Sequence, residues 1–275
     1  MPVAKIVNGK IRTHVTHDHQ PVNDLIRTVV DFSAKRCHAM AWALDFDAHG
    51  EPNVSILEDQ RALPSRPPLP GELYLWFGKP ASNSWQMLLP YLHEVERQQI
   101  LRLLQAADRW SFAAARTGLR LMLSTALSCK PHEIAFHRAA SGKLSLDHTR
   151  HGDHAHRVHF SISHTRGLVA VALAGRPVGV DVEEVRVLED IQAVARKAFA
   201  DESLSALAKL ESDAERTALF YRLWTLGEAF AKATGEGLGL GLKTFQFNTS
   251  GAPILIRVDE SWGPPARWRF CVFPR

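Results

Sequence analysis

The sequence predicts an α+β protein, and three observations carry that prediction. First, Phe112, Ala115, Leu119, Met122 and Leu123 recur at helical spacing. Second, short β-branched or apolar runs such as Leu168–Ala174 and Val178–Val182 read as strands. Third, such helices and strands are interspersed in both halves of the chain rather than segregated into one end.

Taken in order, Asn23 is placed to cap a short helix to about Lys35. Ala39–Phe46 and Val54–Leu57 flank Ala48-His49-Gly50-Glu51-Pro52 and read as a hairpin with a loop. The stretch Leu63-Pro64-Ser65-Arg66-Pro67-Pro68-Leu69-Pro70 is a stiff connector, so residues 1–69 are expected to form a separate layer or N-terminal extension. A strand at Glu72–Phe77 precedes helices at Leu92–Ala106 and Trp110–Ser128, the second halted before Pro131. Strands follow at Ile134–His137, Lys143–Leu146, Val158–Ser163, Leu168–Ala174 and Val178–Val182. Helices are expected at Leu188–Phe199 and Glu202–Leu210. Ser212-Asp213-Ala214-Glu215 is a capping-box pattern opening a helix to Thr234, stopped by Gly235. Thr244–Asn248, Pro253–Val258 and Arg267–Phe273 close the chain as strands.

Composition narrows the function. The chain has 275 residues, 45% of them hydrophobic, and no run near the ~18 to 20 apolar residues of a membrane helix. Its start, Met1-Pro2-Val3-Ala4-Lys5, lacks the apolar stretch of a signal peptide. Cys37, Cys129 and Cys271 are scattered, which predicts a reduced, cytoplasmic protein. The formal charge of +4 suits a phosphate-bearing ligand or an acidic protein partner. Without a basic run interleaved with aromatics, nucleic acid is not an expected partner.

The candidate chemistry starts at Val178-Gly179-Val180-Asp181-Val182-Glu183-Glu184. Alternation sends Asp181 and Glu183 to one face and Val180 and Val182 to the other. Neighbouring buried carboxylates repel and are costly to desolvate unless a cation lies between them. About forty residues on, Glu228 and Lys232 share a helix face within Trp224-Thr225-Leu226-Gly227-Glu228-Ala229-Phe230-Ala231-Lys232. The surrounding aromatics set this face apart from plain surface, and Trp224 and Phe230 are expected in the core. Ser163 and His164 are adjacent on a strand, so they face opposite ways and cannot form a nucleophile–base pair. His164 is a candidate phosphate ligand. The histidines at 14, 17 and 19, and those at 148, 151, 154, 156 and 159, read as polar loop rather than a zinc site.

Phe160–Thr165, Val178–Glu184 and Trp224–Lys232, in that order, resemble the successive motifs of the Sfp-type 4′-phosphopantetheinyl transferases. Gly142-Lys143-Leu144 looks like that family's Gly-Lys-Pro element, and the Arg109–Arg120 helix like its arginine-bearing helix. The match covers roughly residues 70 to 250. It implies two similar α/β halves, 70–176 and 177–275, about a pseudo-twofold axis with coenzyme A between them, in a monomer. It also implies transfer of the phosphopantetheine arm of coenzyme A to a serine of an apo acyl, peptidyl or aryl carrier protein. Asp181, Glu183 and Glu228 would hold Mg²⁺, Glu228 would take the serine proton, and Lys232 would steady the leaving group. Arg116, Lys143, Ser163 and His164 would contact coenzyme A, with Arg102 and Arg109 as further candidates.

Gly227 departs from the family, which usually carries lysine there, so slower transfer or altered substrate use is expected, and Gly227→Lys is expected to raise activity. Two other readings stay open at this level. One is a coenzyme A-binding protein whose transfer activity has decayed; the other is a histidine-dependent zinc hydrolase.

Overall fold

In the computed structural model, residues 4–7, 10–12, 38–46, 51–57, 63–79, 85–236 and 241–273 are described. They fall into two units. The first is Met1–Asp31, Gly50–Ala139 and Leu144–Arg176; the second is Phe32–His49, Ala140–Lys143 and Pro177–Arg275. The helix expected from Asn23 and the histidines at 14, 17 and 19 lie outside the described residues.

The first unit is built on a six-stranded sheet. Its strands are β1 (Ala4–Val7), β2 (Lys10–Arg12), β4 (Asn53–Leu57), β5 (Glu72–Gly78), β8 (His159–Thr165) and β9 (Leu168–Ala174), in the order β2-β1-β4-β5-β9-β8. Only β4 and β5 run parallel. Every residue of β9 is buried, which is why its sequence is an unbroken apolar run. Helix α2 (Ala106–Leu127) packs on this sheet, and α1 (Glu94–Arg102) packs on α2. Gly118 lets α2 approach closely, since a Cβ there would lie 2.4 Å from Trp76 Cζ3.

A buried ion pair locks the helices. Arg120 donates from Nε to Glu96 Oε2 at 2.6 Å, and from Nη1 to the Pro131 and Ile134 carbonyls at 2.7 and 2.9 Å. The same carboxylate accepts from His93 N at 3.1 Å, closing a capping box at the start of α1.

The second unit has a three-stranded antiparallel sheet. β3 (His38–Asp45) lies in the middle, between β10 (Val178–Glu184) and β13 (Trp268–Val272). Helix α7 (Asp213–Thr234) covers it. Phe230, fully buried, meets Phe245 and Trp268 edge-on at 5.1 and 4.8 Å.

Three expectations change. β3 and β4 are not a hairpin: each pairs with other strands, in different sheets. Ala39–Leu44 is buried residue after residue, the signature of a central strand rather than of a half-solvated hairpin arm. The described residues of 1–69 likewise form no body of their own: β1, β2 and β4 lie in the sheet of the first unit, and β3 completes the sheet of the second. The proline-rich stretch packs as part of the first unit. Arg66 grips Glu72 with two bonds of 2.8 and 2.7 Å, and the Leu69 carbonyl sits where a Cβ on Gly175 would need to be. Finally, Ser212 makes no side-chain cap at α7; Arg216 and Asp213 pair there instead.

Arg120→Met strands the buried Glu96 carboxylate and two carbonyls. The expected loss is about 3–5 kcal/mol of unfolding free energy, measured by urea titration.

Candidate active site

β10 places the acids as its alternation dictates. Val178, Val180 and Val182 are buried in the sheet's apolar contacts, while Asp181 is 2% exposed and Glu183 half-buried. The strand lies unusually close to α7, because a Cβ on Gly179 would stand 1.8 Å from the Ala229 carbonyl oxygen. Only glycine permits this approach. It brings the Asp181 and Glu183 face alongside the helix face bearing Trp224, Glu228 and Lys232.

The contacts across that seam are specific. Lys232 Nζ donates to Asp181 Oδ1 at 2.6 Å. Trp224 Nε1 donates to Glu183 Oε1 at 3.3 Å, and its ring stacks on Phe220 with centroids 5.7 Å apart. Glu228 Oε1 is buried with no hydrogen-bond partner.

Electrostatics follow from that crowding. Burial first, and the charge of Asp181 second, push Glu183 up to about 7. The same two causes, partly offset by Lys232, raise Glu228 above the ordinary glutamate value. Both acids are thus short of positive charge. Among the described residues, no group of three carboxylate, imidazole or thiol side chains is arranged to hold one metal ion, and Lys232 already sits on Asp181. The donor chemistry nevertheless fits Mg²⁺, which takes hard oxygens and needs only one or two carboxylates beside phosphate and water. The bare Glu228 Oε1 is an oxygen of that kind.

The other candidates sit elsewhere. Ser163 is buried in β8 and His164 exposed beside it, as strand alternation requires. In the first unit, a cleft of about 680 Å³ is lined by Arg116, Arg120, Arg138, Arg150, Glu96 and Phe136 among others. Arg116 is buried there, and its Nε stays 4.0 Å from Glu96 Oε1. Desolvation, with Arg138 and Arg120 nearby, lowers its pKa to about 10 despite Glu96, so this guanidinium is short of negative charge. Arg109 bonds the Leu103 carbonyl at 2.8 Å and lies over Trp85, while Arg102 is exposed. Lys143, expected at a phosphate, gives its ammonium to the Lys232 and Ala233 carbonyls at 2.6 and 3.0 Å.

Two partners escaped the sequence reading. Trp224 is not simply core; its position four residues before Glu228 puts it on the acid-bearing face, and that spacing was the available signal. The contact of Lys143 with α7 spans 89 residues and has no local signature.

Two family models, "4′-phosphopantetheinyl transferase, N-terminal" over residues 76–176 and "4′-phosphopantetheinyl transferase superfamily" over residues 177–273, match consecutive stretches of the chain. The chain belongs to the 4′-phosphopantetheinyl transferase superfamily. It is 29% identical over 217 residues to the 4′-phosphopantetheinyl transferase HetI of Nostoc sp., covering 77% of this chain and 84% of that protein. It is 36% identical over 107 residues to Sfp of Bacillus subtilis, covering 38% and 46%. The L-aminoadipate-semialdehyde dehydrogenase-phosphopantetheinyl transferase of Xenopus laevis is 26% identical over 188 residues, covering 66% and 61%. The matched stretch therefore spans less than two thirds of the last two relatives. Among the described residues, no helix is long and apolar enough to cross a membrane.

Within this superfamily, Gly227 acquires a physical reason. It is buried, and a Cβ would lie 2.9 Å from Leu242 Cδ2 and 3.2 Å from Phe245 Cε2. Leu242 and Phe245 would have to shift to admit a side chain, so Gly227→Lys adds a packing cost to the charge it supplies. Gly227→Lys is expected to cost about 1–3 kcal/mol through overpacking and to lower the melting temperature. An unchanged melting temperature in a thermal scan would show that Leu242 and Phe245 yield freely.

Proposed function

We propose that the protein transfers the 4′-phosphopantetheine arm of coenzyme A to a serine hydroxyl of an apo acyl, peptidyl or aryl carrier protein. The observation that carries this reading is the seam between β10 and α7. There three acids and one lysine meet, and a buried glutamate oxygen has no protein partner.

The serine oxygen attacks the phosphorus attached to the pantetheine arm. A P–O bond forms, the bond to the bridging pyrophosphate oxygen breaks, and adenosine 3′,5′-bisphosphate departs. Glu228 takes the serine proton, directly or through a water. Its pKa, raised by burial and by Asp181, makes it a better base than an exposed glutamate. Lys232 supplies positive charge to the phosphates and leaving group. Asp181, Glu183 and Glu228 are not arranged as a three-carboxylate set, so one or two of them would hold Mg²⁺ beside phosphate oxygens and water, and the ion when bound would offset the charge of the diphosphate. Trp224 holds Glu183 by its indole N–H.

Arg116, Ser163 and His164 are assigned to the phosphates of coenzyme A. Arg116 supports this best, being a buried guanidinium in a basic cleft with incomplete charge compensation. The acidic surface expected of a carrier suits the chain's net charge of +4.

Incubation with coenzyme A, Mg²⁺ and a panel of apo carriers should add one phosphopantetheine to at least one carrier by mass spectrometry. Asp181→Ala and Glu228→Gln should abolish the gain while circular dichroism stays native. Wild-type turnover in either variant would refute the roles given to these acids.

A further inference from the structure

We propose that Lys143 is a positioning residue for Lys232, holding the last turn of α7 through main-chain carbonyls rather than touching substrate. The inference rests on the transfer reading for its kinetic arm alone.

A helix leaves its last four carbonyls without intrahelical donors. At the end of α7, Gly235 adopts the left-handed conformation (φ 88°), and its N–H caps the Ala231 carbonyl at 3.0 Å. The next two carbonyls, of Lys232 and Ala233, are taken by Lys143 Nζ at 2.6 and 3.0 Å. Lys143 lies in Ala140–Lys143, a segment that belongs to the same unit as α7. Its stem runs over Gly235, where a Cβ would come within 3.1 Å of Lys143 Cδ. Glycine thus serves twice, as the left-handed cap and as the floor under the lysine.

An ammonium at a helix C-terminus is favoured by the helix dipole, and each of its bonds to a carbonyl is charge-assisted. Burial lowers the Lys143 pKa to about 8, so this amine is held away from water at some cost. A lysine kept only for a solvated phosphate would not need such enclosure. What the contact secures is a continuous chain. Lys143 holds the carbonyl of Lys232, and the ammonium of Lys232 holds Asp181 Oδ1 at 2.6 Å. One catalytic cation is therefore tied to another lysine whose ammonium, among the described residues, bonds main-chain carbonyls.

The test uses Lys143→Met and Lys143→Arg in the full chain, with two readouts. Lys143→Met should lower kcat about tenfold or more at saturating carrier, leave KM for coenzyme A within about twofold, and speed amide hydrogen exchange at residues 230–235. Lys143→Arg, which keeps the charge and the donors, should restore most of both. A rise in KM for coenzyme A with kcat preserved, unchanged kinetics, or a fall in kcat with unchanged exchange would each overturn the proposal. If Lys143→Met does not fold, reductive methylation of the wild-type protein decides. Lys143 should resist methylation without coenzyme A; ready methylation that coenzyme A suppresses would overturn it. Exchange and methylation need no turnover, so failure of the transfer reading stays distinguishable from failure of this one.

Discussion

A carboxylate 2% exposed in a β-strand must be matched by positive charge or lose its own. Asp181 imposes that requirement, and the surrounding structure answers it. Lys232 provides the cation in this structure, at 2.6 Å, but it cannot serve three acids. Glu183 and Glu228 are left with pKa values raised by burial and by Asp181. A divalent ion arriving with a diphosphate would relieve that deficit, and this is the physical reason to place phosphoryl transfer at the seam.

The fold contributes mainly close approach. Gly179 lets the backbone of β10 meet the backbone of α7, and Gly227 lets Leu242 and Phe245 close over the same helix at the residue next to Glu228. Both glycines act by lacking a side chain. Trp224 adds a second device, since its indole is wedged by Phe220 and delivers an N–H to Glu183. The acids are therefore held by main-chain packing and aromatic contacts rather than by loops, which suits a site whose geometry must survive the arrival of a highly charged substrate.

How much of this was legible depended on whether the signal was local. β9, β10 and α7 could be read directly, because an unbroken apolar run, an alternation broken by acids and a long periodic segment are each local patterns. The partners of β3 were not legible. Its sequence says only that both faces are buried, and proximity to Val54–Leu57 suggested the wrong neighbour. The Ser212 pattern fitted a capping box, but Arg216 draws Asp213 and the Leu210 carbonyl into a competing arrangement. A capping box does open at His93, a residue outside the usual cap set. Lys143 shows the same limit at the site. Its motif pointed to phosphate, while its bonds reach carbonyls 89 and 90 residues away.

Calorimetric titration of Mg²⁺ into the protein, in the presence of coenzyme A, tests the central claim most directly. Saturable binding is expected in the wild-type chain and is lost in Asp181→Asn, with the fold retained. Equal Mg²⁺ affinity in Asp181→Asn and wild type would contradict it.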